Sequence, residues 1–464
     1  MISLEDVSFS YTGDDQTLNL KHIDLRIAPG ECVLLCGKSG CGKTTITKLI
    51  NGLIPHFDEG TLTGQALVNG HVVADTPLYT LSQQVGSVFQ NPKSQFFNID
   101  SDSELAFGLE NNGVDPDVIR ARIAQTVQDL HIEHLLHRNV FSMSGGEKQS
   151  LAFASVYAMN PNIYILDEPS ANLDQAATEA LRTQIRCIKA QGKSIVVAEH
   201  RLYYLADLID RVLLVEDGKI SQAFDRAGFL AMTEEERHQH GLRTIHEQTQ
   251  APLPAPPSEG ALEIRDLSVR VKKHTVFEHV HFSANRGSII GIVGHNGAGK
   301  TTLMRCLAGL IKAQSGEIRL DGKALSRKER NAACYMIMQD VNHQLFGESV
   351  WEECLLARDD SVSDDTISDI LEDFNLLALK DKHPMALSGG QKQRLAIASG
   401  LVAGKQILIF DEPTSGLDYA HMRTVSRTLK NLAGTGHIVL VVTHDLEFLN
   451  STCDQIFTLG TSHQ

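Results

Sequence analysis

A mostly parallel α/β fold, built twice within one chain, is predicted by three observations. First, two segments match the phosphate-loop pattern G-x-x-x-x-G-K-[ST]: Gly37-Lys38-Ser39-Gly40-Cys41-Gly42-Lys43-Thr44 and Gly294-His295-Asn296-Gly297-Ala298-Gly299-Lys300-Thr301. Second, each lies between a short apolar run (31–36 and 288–293) and a stretch that reads as a helix (44–51 and 301–310), the strand–loop–helix setting such a loop requires. Third, further elements recur in the same order in both halves. Ser144-Gly145-Gly146 returns as Ser388-Gly389-Gly390, Leu166-Asp167-Glu168-Pro169 as Phe410-Asp411-Glu412-Pro413, and His200 as His444. Buried-strand runs at 162–166, 194–198, 406–410 and 437–442 alternate with helical stretches, which argues for a parallel core.

Composition places the boundary. Pro252, Pro254, Pro256 and Pro257 fall within thirteen residues, 248–260, where the chain cannot continue a helix and an extended spacer is expected. Before it, 233–240 is polar and charged; after it, Leu262-Glu263-Ile264 restarts a strand that echoes Ile2-Ser3-Leu4. The reading is a first domain over 1–240, a linker over 241–261 and a second domain over 262–464, with no third domain expected.

The chain has 464 residues, 42% of them hydrophobic, enough to bury a core without disulfides or metal. Eight scattered cysteines with no paired C-x-x-C spacing point to a reducing, cytosolic compartment. Cys36 and Cys41 bracket the first phosphate loop and read as small packing residues. A net charge of −15 lowers the prior for a nucleic-acid partner, and none is expected. The start, Met1-Ile2-Ser3-Leu4-Glu5-Asp6, has no basic segment before an apolar one, so no signal peptide is expected. Apolar runs such as 438–442 are strand-sized, far below the ~20 residues that span a bilayer. A membrane role would therefore need a partner subunit.

The motifs define P-loop NTPase chemistry with ATP and Mg²⁺ as cofactors. Glycines let successive N–H groups converge on phosphate oxygens, and the following helix adds its positive N-terminus. On this reading Gly37, Ser39, Gly40, Gly42, Lys43, Thr44 and Thr45 bind nucleotide in the first half. Gly294, Asn296, Gly297, Gly299, Lys300, Thr301 and Thr302 do so in the second. Lys43 and Lys300 reach the β- and γ-phosphates, while Thr44 and Thr301 offer hydroxyls to Mg²⁺. Asp167 and Asp411, at the ends of apolar strands, are further Mg²⁺ ligands. Glu168 and Glu412, one residue on, can orient or deprotonate the attacking water.

Ser144-Gly145-Gly146-Glu147-Lys148-Gln149 and Leu387-Ser388-Gly389-Gly390-Gln391 resemble the LSGGQ signature of ABC-type ATPases. The resemblance implies that each domain carries an antiparallel β subdomain and a helical signature subdomain beside the parallel core. It also implies that Ser144, Gly145, Gly146, Ser388, Gly389, Gly390 and Gln391 contact nucleotide. The halves then pair head to tail within one chain, so that no homodimer is required. Ser388 serves the site built on Lys43, and Ser144 the site built on Lys300. Gln90 and Gln339 resemble the Q-loop glutamine, which touches Mg²⁺ or the attacking water. Ala171-Asn172-Leu173-Asp174 and Ser415-Gly416-Leu417-Asp418 resemble the D-loop, and His200 and His444 the switch histidine that contacts the γ-phosphate. Tyr11 stands where the family stacks an aromatic on adenine. Val271 occupies the equivalent place, so weaker nucleotide binding is expected at the second loop. Both halves keep a glutamate and a histidine, so two hydrolysis-competent sites are expected.

Asn91-Pro92-Lys93-Ser94-Gln95-Phe96-Phe97, followed by Glu104-Leu105-Ala106-Phe107-Gly108-Leu109-Glu110-Asn111, resembles the ATPases of energy-coupling-factor transporters. The second half keeps Asn342-His343-Gln344-Leu345-Phe346. That resemblance implies integral membrane partners, a scaffold subunit and a substrate-binding subunit, for uptake of a vitamin, metal ion or other small nutrient. Phe97 and Phe346 would meet the scaffold's coupling helices, with the chain peripheral at the cytoplasmic face of the membrane. The alternatives are a tandem sugar or peptide importer ATPase and a soluble twin ATPase acting on ribosomes or DNA. The short proline-rich connector and the acidic charge weigh against the last.

Overall fold

The computed structural model describes residues 1–12, 18–171, 173–271 and 274–460; Asn172 of the first D-loop lies outside the described residues. The chain forms two compact units, residues 1–247 with 416–420, and residues 248–415 with 421–464. Both are α/β, as the sequence predicts.

Among the described residues the first unit has ten strands: β1 (Ile2–Tyr11), β2 (Leu20–Ile27), β3 (Cys32–Cys36), β4 (Gly60–Val68), β5 (His71–Val72), β6 (Val85–Val88), β7 (Ile163–Asp167), β8 (Ser194–Ala198), β9 (Arg211–Glu216) and β10 (Lys219–Asp225). An antiparallel sheet runs β2-β1-β4-β5, and a six-stranded sheet runs β10-β9-β3-β8-β7-β6. The larger sheet is parallel except for the β9–β10 pair. Strand β3 is buried along its whole length, the continuous apolar run expected of a parallel strand covered on both faces. Its alternation divides the core. Val33 and Leu35 pack with the antiparallel sheet, whereas Cys32, Leu34 and Cys36 pack with the helices behind. Three helices, Ser101–Asn111, Pro116–Leu130 and Gly145–Met159, stand beside this core.

The second unit repeats the plan with β11 (Leu262–Val271), β12 (His274–Ala284), β13 (Ile289–Val293), β14 (Ser315–Leu320), β15 (Lys323–Ala324), β16 (Cys334–Ile337), β17 (Ile407–Asp411), β18 (Ile438–Val442) and β19 (Gln455–Thr458). Its antiparallel sheet is β12-β11-β14-β15, and its five-stranded sheet, β16-β17-β18-β13-β19, is parallel throughout. The helices Val350–Ala357, Asp364–Asp373 and Gly389–Val402 correspond to the three of the first unit. Among the described residues no helix is long and apolar enough to cross a membrane.

The segment expected to be a linker over 241–261 is not a free spacer. Leu242 and Ile245 are buried in the first unit's core, so 241–247 belongs to that unit. The proline-rich remainder lies along the second unit. The Ile456 N–H donates to the Pro254 carbonyl at 3.1 Å, continuing the edge of β19. Asn450 clasps the segment twice: its Oδ1 accepts from the Ala251 N–H and its Nδ2 donates to the Thr249 carbonyl, both at 2.9 Å. Extended backbone that cannot pair with itself is thus satisfied by the neighbouring fold. Replacing Asn450 by Ala removes both bonds. Amide exchange or proteolytic cleavage across residues 249–254 should then accelerate about tenfold, as expected for two net hydrogen bonds. Unchanged exchange would contradict this anchoring.

Candidate functional site

The first phosphate loop joins β3 to helix Lys43–Asn51. Its shape depends on glycine. Gly37 has φ 144°, and a Cβ there would lie 2.1 Å from the Val215 carbonyl oxygen on β9. The second loop has the same constraint: Gly294 has φ 152°, and its Cβ would lie 2.6 Å from the Leu459 carbonyl. Neither backbone could yield without opening the sheet. Gly42 and Gly299 enter the following helices at φ 110° and 94° in the left-handed region, which leaves the first helical N–H groups free of side-chain caps.

Lys43 is only 4% exposed. Its ammonium donates to the Gly37 and Lys38 carbonyls at 3.1 and 3.0 Å and lies 3.2 Å from His200 Nε2. His200 Nε2 is in turn 3.5 Å from Glu168 Oε1. Lys300 is held likewise by the Gly294 and His295 carbonyls at 2.8 and 3.0 Å, and His444 Nε2 is 3.6 Å from Glu412 Oε1. The helix hydroxyls face the strand-end carboxylates: Thr44 Oγ1 donates to Asp167 at 3.2 Å and Thr301 Oγ1 to Asp411 at 3.0 Å. A hydroxyl and a carboxylate side by side form the hard oxygen donor set that suits Mg²⁺, so these residues fit the ion the motif implies.

Glu168 and Glu412 hold left-handed backbone at φ 44° and 50°. Non-glycine residues there are strained and need fixing by their surroundings. The Glu168 N–H donates to the Ala198 carbonyl at 2.8 Å and the Glu412 N–H to the Val442 carbonyl at 2.9 Å. Each turn is thereby tied to the strand that carries the histidine. Burial, reinforced by the neighbouring Glu199 carboxylate, pushes the Glu168 carboxyl up to about 8. Burial also raises Asp167 and Asp411. Gln90 Nε2 donates to Glu168 Oε2 at 2.8 Å, so this glutamine is aimed at the glutamate. Gln339 is exposed just beyond β16.

The signature serines are helix caps. Ser144 accepts from the Glu147 N–H while Glu147 reaches back to the Ser144 N–H; Ser388 and Gln391 do the same. This reciprocal capping box explains why the fourth position is Glu in one unit and Gln in the other. Gly145, Gly146, Gly389 and Gly390 form the first turns of these helices. Ser39, Gly40 and Gly297 are exposed, Asn296 is half-buried, and Thr45 and Thr302 sit in the first helical turns. Tyr11 is half-buried, edge-on to Phe9 with centroids 4.9 Å apart, and its ring lies 5.7 Å from Lys48 Nζ. Val271 is 43% exposed. Burial pushes the Cys36 thiol up to about 12, in keeping with a packing role.

Within each unit, then, the phosphate loop, the strand-end Asp-Glu pair and the histidine converge. Residues 20–171 and 277–415 match the ABC transporter family. A Treponema denticola protein provisionally named as an ABC transporter ATP-binding protein is 47% identical over 99% of this chain and 95% of its own length. A Bacillus subtilis protein provisionally named as an HMP/thiamine import ATP-binding protein is 32% identical over 99% of this chain and 90% of its own. Among solved structures, the archaeal ribosome recycling factor aABCE1, in complex with ribosomal stalk protein aP1, superposes with a TM-score of 0.63 at 23% identity. That match covers 97% of this chain and 87% of that one, and it shows the fold alone. The site and fold define a nucleotide-binding class of protein. The chain belongs to the ABC transporter family, as an ATP-binding protein with two tandem domains. The family implies ATP hydrolysis.

Glu199 and Arg201, which flank His200, have no role in the sequence motifs. Glu199 is 2% exposed and accepts from four donors around the turn after Glu168. The one available signal was an acidic residue ending an apolar strand.

The raised Glu168 carboxyl carries a stability consequence. The folded state holds this proton more tightly than the unfolded chain, so stability falls as pH rises from 4.5 towards about 8 and then levels. In nucleotide-free protein, Glu168→Gln should therefore raise the thermal midpoint relative to wild type by an amount that grows across this window. A difference independent of pH would contradict the assignment.

Proposed function

We propose that the chain is the ATP-hydrolysing subunit of a membrane importer of the energy-coupling-factor type, with one hydrolytic centre built on each phosphate loop. The observation that carries the hydrolytic reading is the repeated set of loop lysine, Thr–Asp pair and Glu–His pair within each unit. Lys43 and Lys300, with the loop N–H groups, bind the phosphates. Thr44 with Asp167, and Thr301 with Asp411, would hold Mg²⁺, which when bound neutralises charge on the phosphate oxygens. Glu168 and Glu412 orient water and take up its proton; the raised proton affinity of Glu168 suits that task. His200 and His444 lie beside the glutamates and face the transferred phosphate. Tyr11 stacks on adenine, and its absence at Val271 weakens nucleotide binding at the second loop.

The transport reading draws on two observations. Phe97 and Phe346 occupy corresponding places after short 3₁₀ turns and are 74% and 78% exposed, which suits apolar contact with an inserted partner helix. Similarity to the Bacillus subtilis import protein runs the full length of the chain. On this reading a scaffold subunit and a substrate-binding subunit lie in the membrane, the chain is peripheral at its cytoplasmic face, and the substrate-binding subunit selects a vitamin, metal ion or similar small nutrient. A role on ribosomes is the second reading, favoured only by fold likeness, and the net charge of −15 weighs against it.

Glu168→Gln and Glu412→Gln should each lower ATPase turnover partially, and the double variant by at least about 100-fold, as expected for loss of general base catalysis. One variant abolishing all turnover while the other changes nothing would contradict two competent centres. Tagged chain drawn from detergent-solubilised membranes should bring integral membrane proteins with it. Co-sedimentation with ribosomes instead would overturn the transport reading.

A further inference from the structure

The two units fasten the turn after the hydrolytic glutamate by different chemistry. In the first unit, Glu199 Oε2 accepts from the Ser170 N–H at 3.3 Å and the Tyr204 hydroxyl at 2.9 Å. Its Oε1 accepts from the N–H groups of His200 and Arg201 at 2.8 and 3.0 Å. The Arg201 guanidinium completes the hold by donating to the Leu173 carbonyl at 2.9 Å. In the second unit the corresponding positions are Thr414, Thr443, Asp445 and Phe448. Asp445 Oδ2 accepts from the Thr414 hydroxyl at 2.8 Å, its Oδ1 from the Phe448 N–H at 3.2 Å, and its own N–H donates to Thr443 Oγ1 at 3.0 Å.

Four positions thus differ as one set. Where the carboxylate precedes the histidine, a tyrosine hydroxyl is present to donate to it. Where the carboxylate follows, that ring is phenylalanine, and a threonine hydroxyl on the turn donates instead. Both carboxylates are buried, at 2% and 4% exposure, and both rings are fully buried. A buried carboxylate without such donors would be costly, so the partners must change together.

We infer that a buried carboxylate beside the histidine, Glu199 in the first unit and Asp445 in the second, is a positioning residue that fixes the turn after the hydrolytic glutamate, and that it has changed sides of the histidine between the units. The N–H groups of the two histidines accordingly go to different carboxylates. With the His200 N–H taken by Glu199, Glu168 Oε2 receives the Gln90 amide. In the second unit the His444 N–H donates to Glu412 Oε2 at 3.3 Å.

The role in turnover rests on the hydrolytic reading above, whereas the positioning itself can be read without nucleotide. The test compares full-length Glu199→Gln, Glu199→Thr and the graft Ser170→Thr/Glu199→Thr/Arg201→Asp/Tyr204→Phe. Amide exchange over residues 168–174 is measured in nucleotide-free protein, and kcat and KM for ATP are measured separately. Glu199→Thr should speed exchange about tenfold or more, the loss expected when charged hydrogen bonds to a buried turn are removed. It should lower kcat severalfold with KM within about twofold, the pattern of a group that acts through positioning. Glu199→Gln, which keeps shape and one acceptor, should fall between it and wild type. The graft should restore slow exchange and most of kcat. A graft no better than Glu199→Thr, or a Glu199→Gln indistinguishable from wild type in exchange, overturns the inference. Restored exchange without any ATPase activity, in wild type or graft, would instead count against the hydrolytic reading.

Discussion

Two ammonium groups buried at the ends of parallel strands set the terms for the rest of this protein. Lys43 and Lys300 are 4% and 7% exposed, and a cation so placed must be met by oxygen. The oxygens come from the first two carbonyls of its own loop. Those carbonyls turn inward because Gly37 and Gly294 pass within touching distance of the neighbouring strand's main chain, which a Cβ would forbid. A glycine loop of this shape, followed by the positive end of a helix, suits the binding of an anion. Sheet packing, loop shape and anion binding are consequences of one arrangement.

Around that arrangement the two units agree where chemistry is constrained and differ where it is not. Each places a Thr hydroxyl on an Asp carboxylate, and each sets a strained Glu on left-handed backbone beside a His. The devices that hold these groups vary more freely. A signature serine is capped through Glu147 in one unit and Gln391 in the other. The turn after the glutamate is gripped by Glu199 or by Asp445. Duplication within one chain lets the supporting residues diverge while the candidate site residues stay in place.

The candidate site residues were legible in the sequence because their placement depends on main-chain geometry. Glycine at fixed spacing, an apolar strand before it and a hydroxyl after it leave little freedom, and the order of motifs repeated. The supporting groups were not legible, because Glu199, Arg201 and Tyr204 gain meaning only when β8 brings them against the turn at Ser170. The domain limits show the same division. The polar, charged stretch 233–240 suggested that the first domain ends at 240, yet Leu242 and Ile245 are apolar and sit in the first core. Four prolines did mark extended chain, but what satisfies that chain is Asn450 and the edge of β19, far away in sequence.

The central claim is that each unit carries the phosphate loop and the hydrolytic residues of one nucleotide centre. Equilibrium titration of MgATP against the Glu168→Gln/Glu412→Gln chain measures it directly. The account predicts two ATP per chain, the weaker at the loop that lacks Tyr11's counterpart; a stoichiometry of one, or two sites of equal affinity, would contradict it.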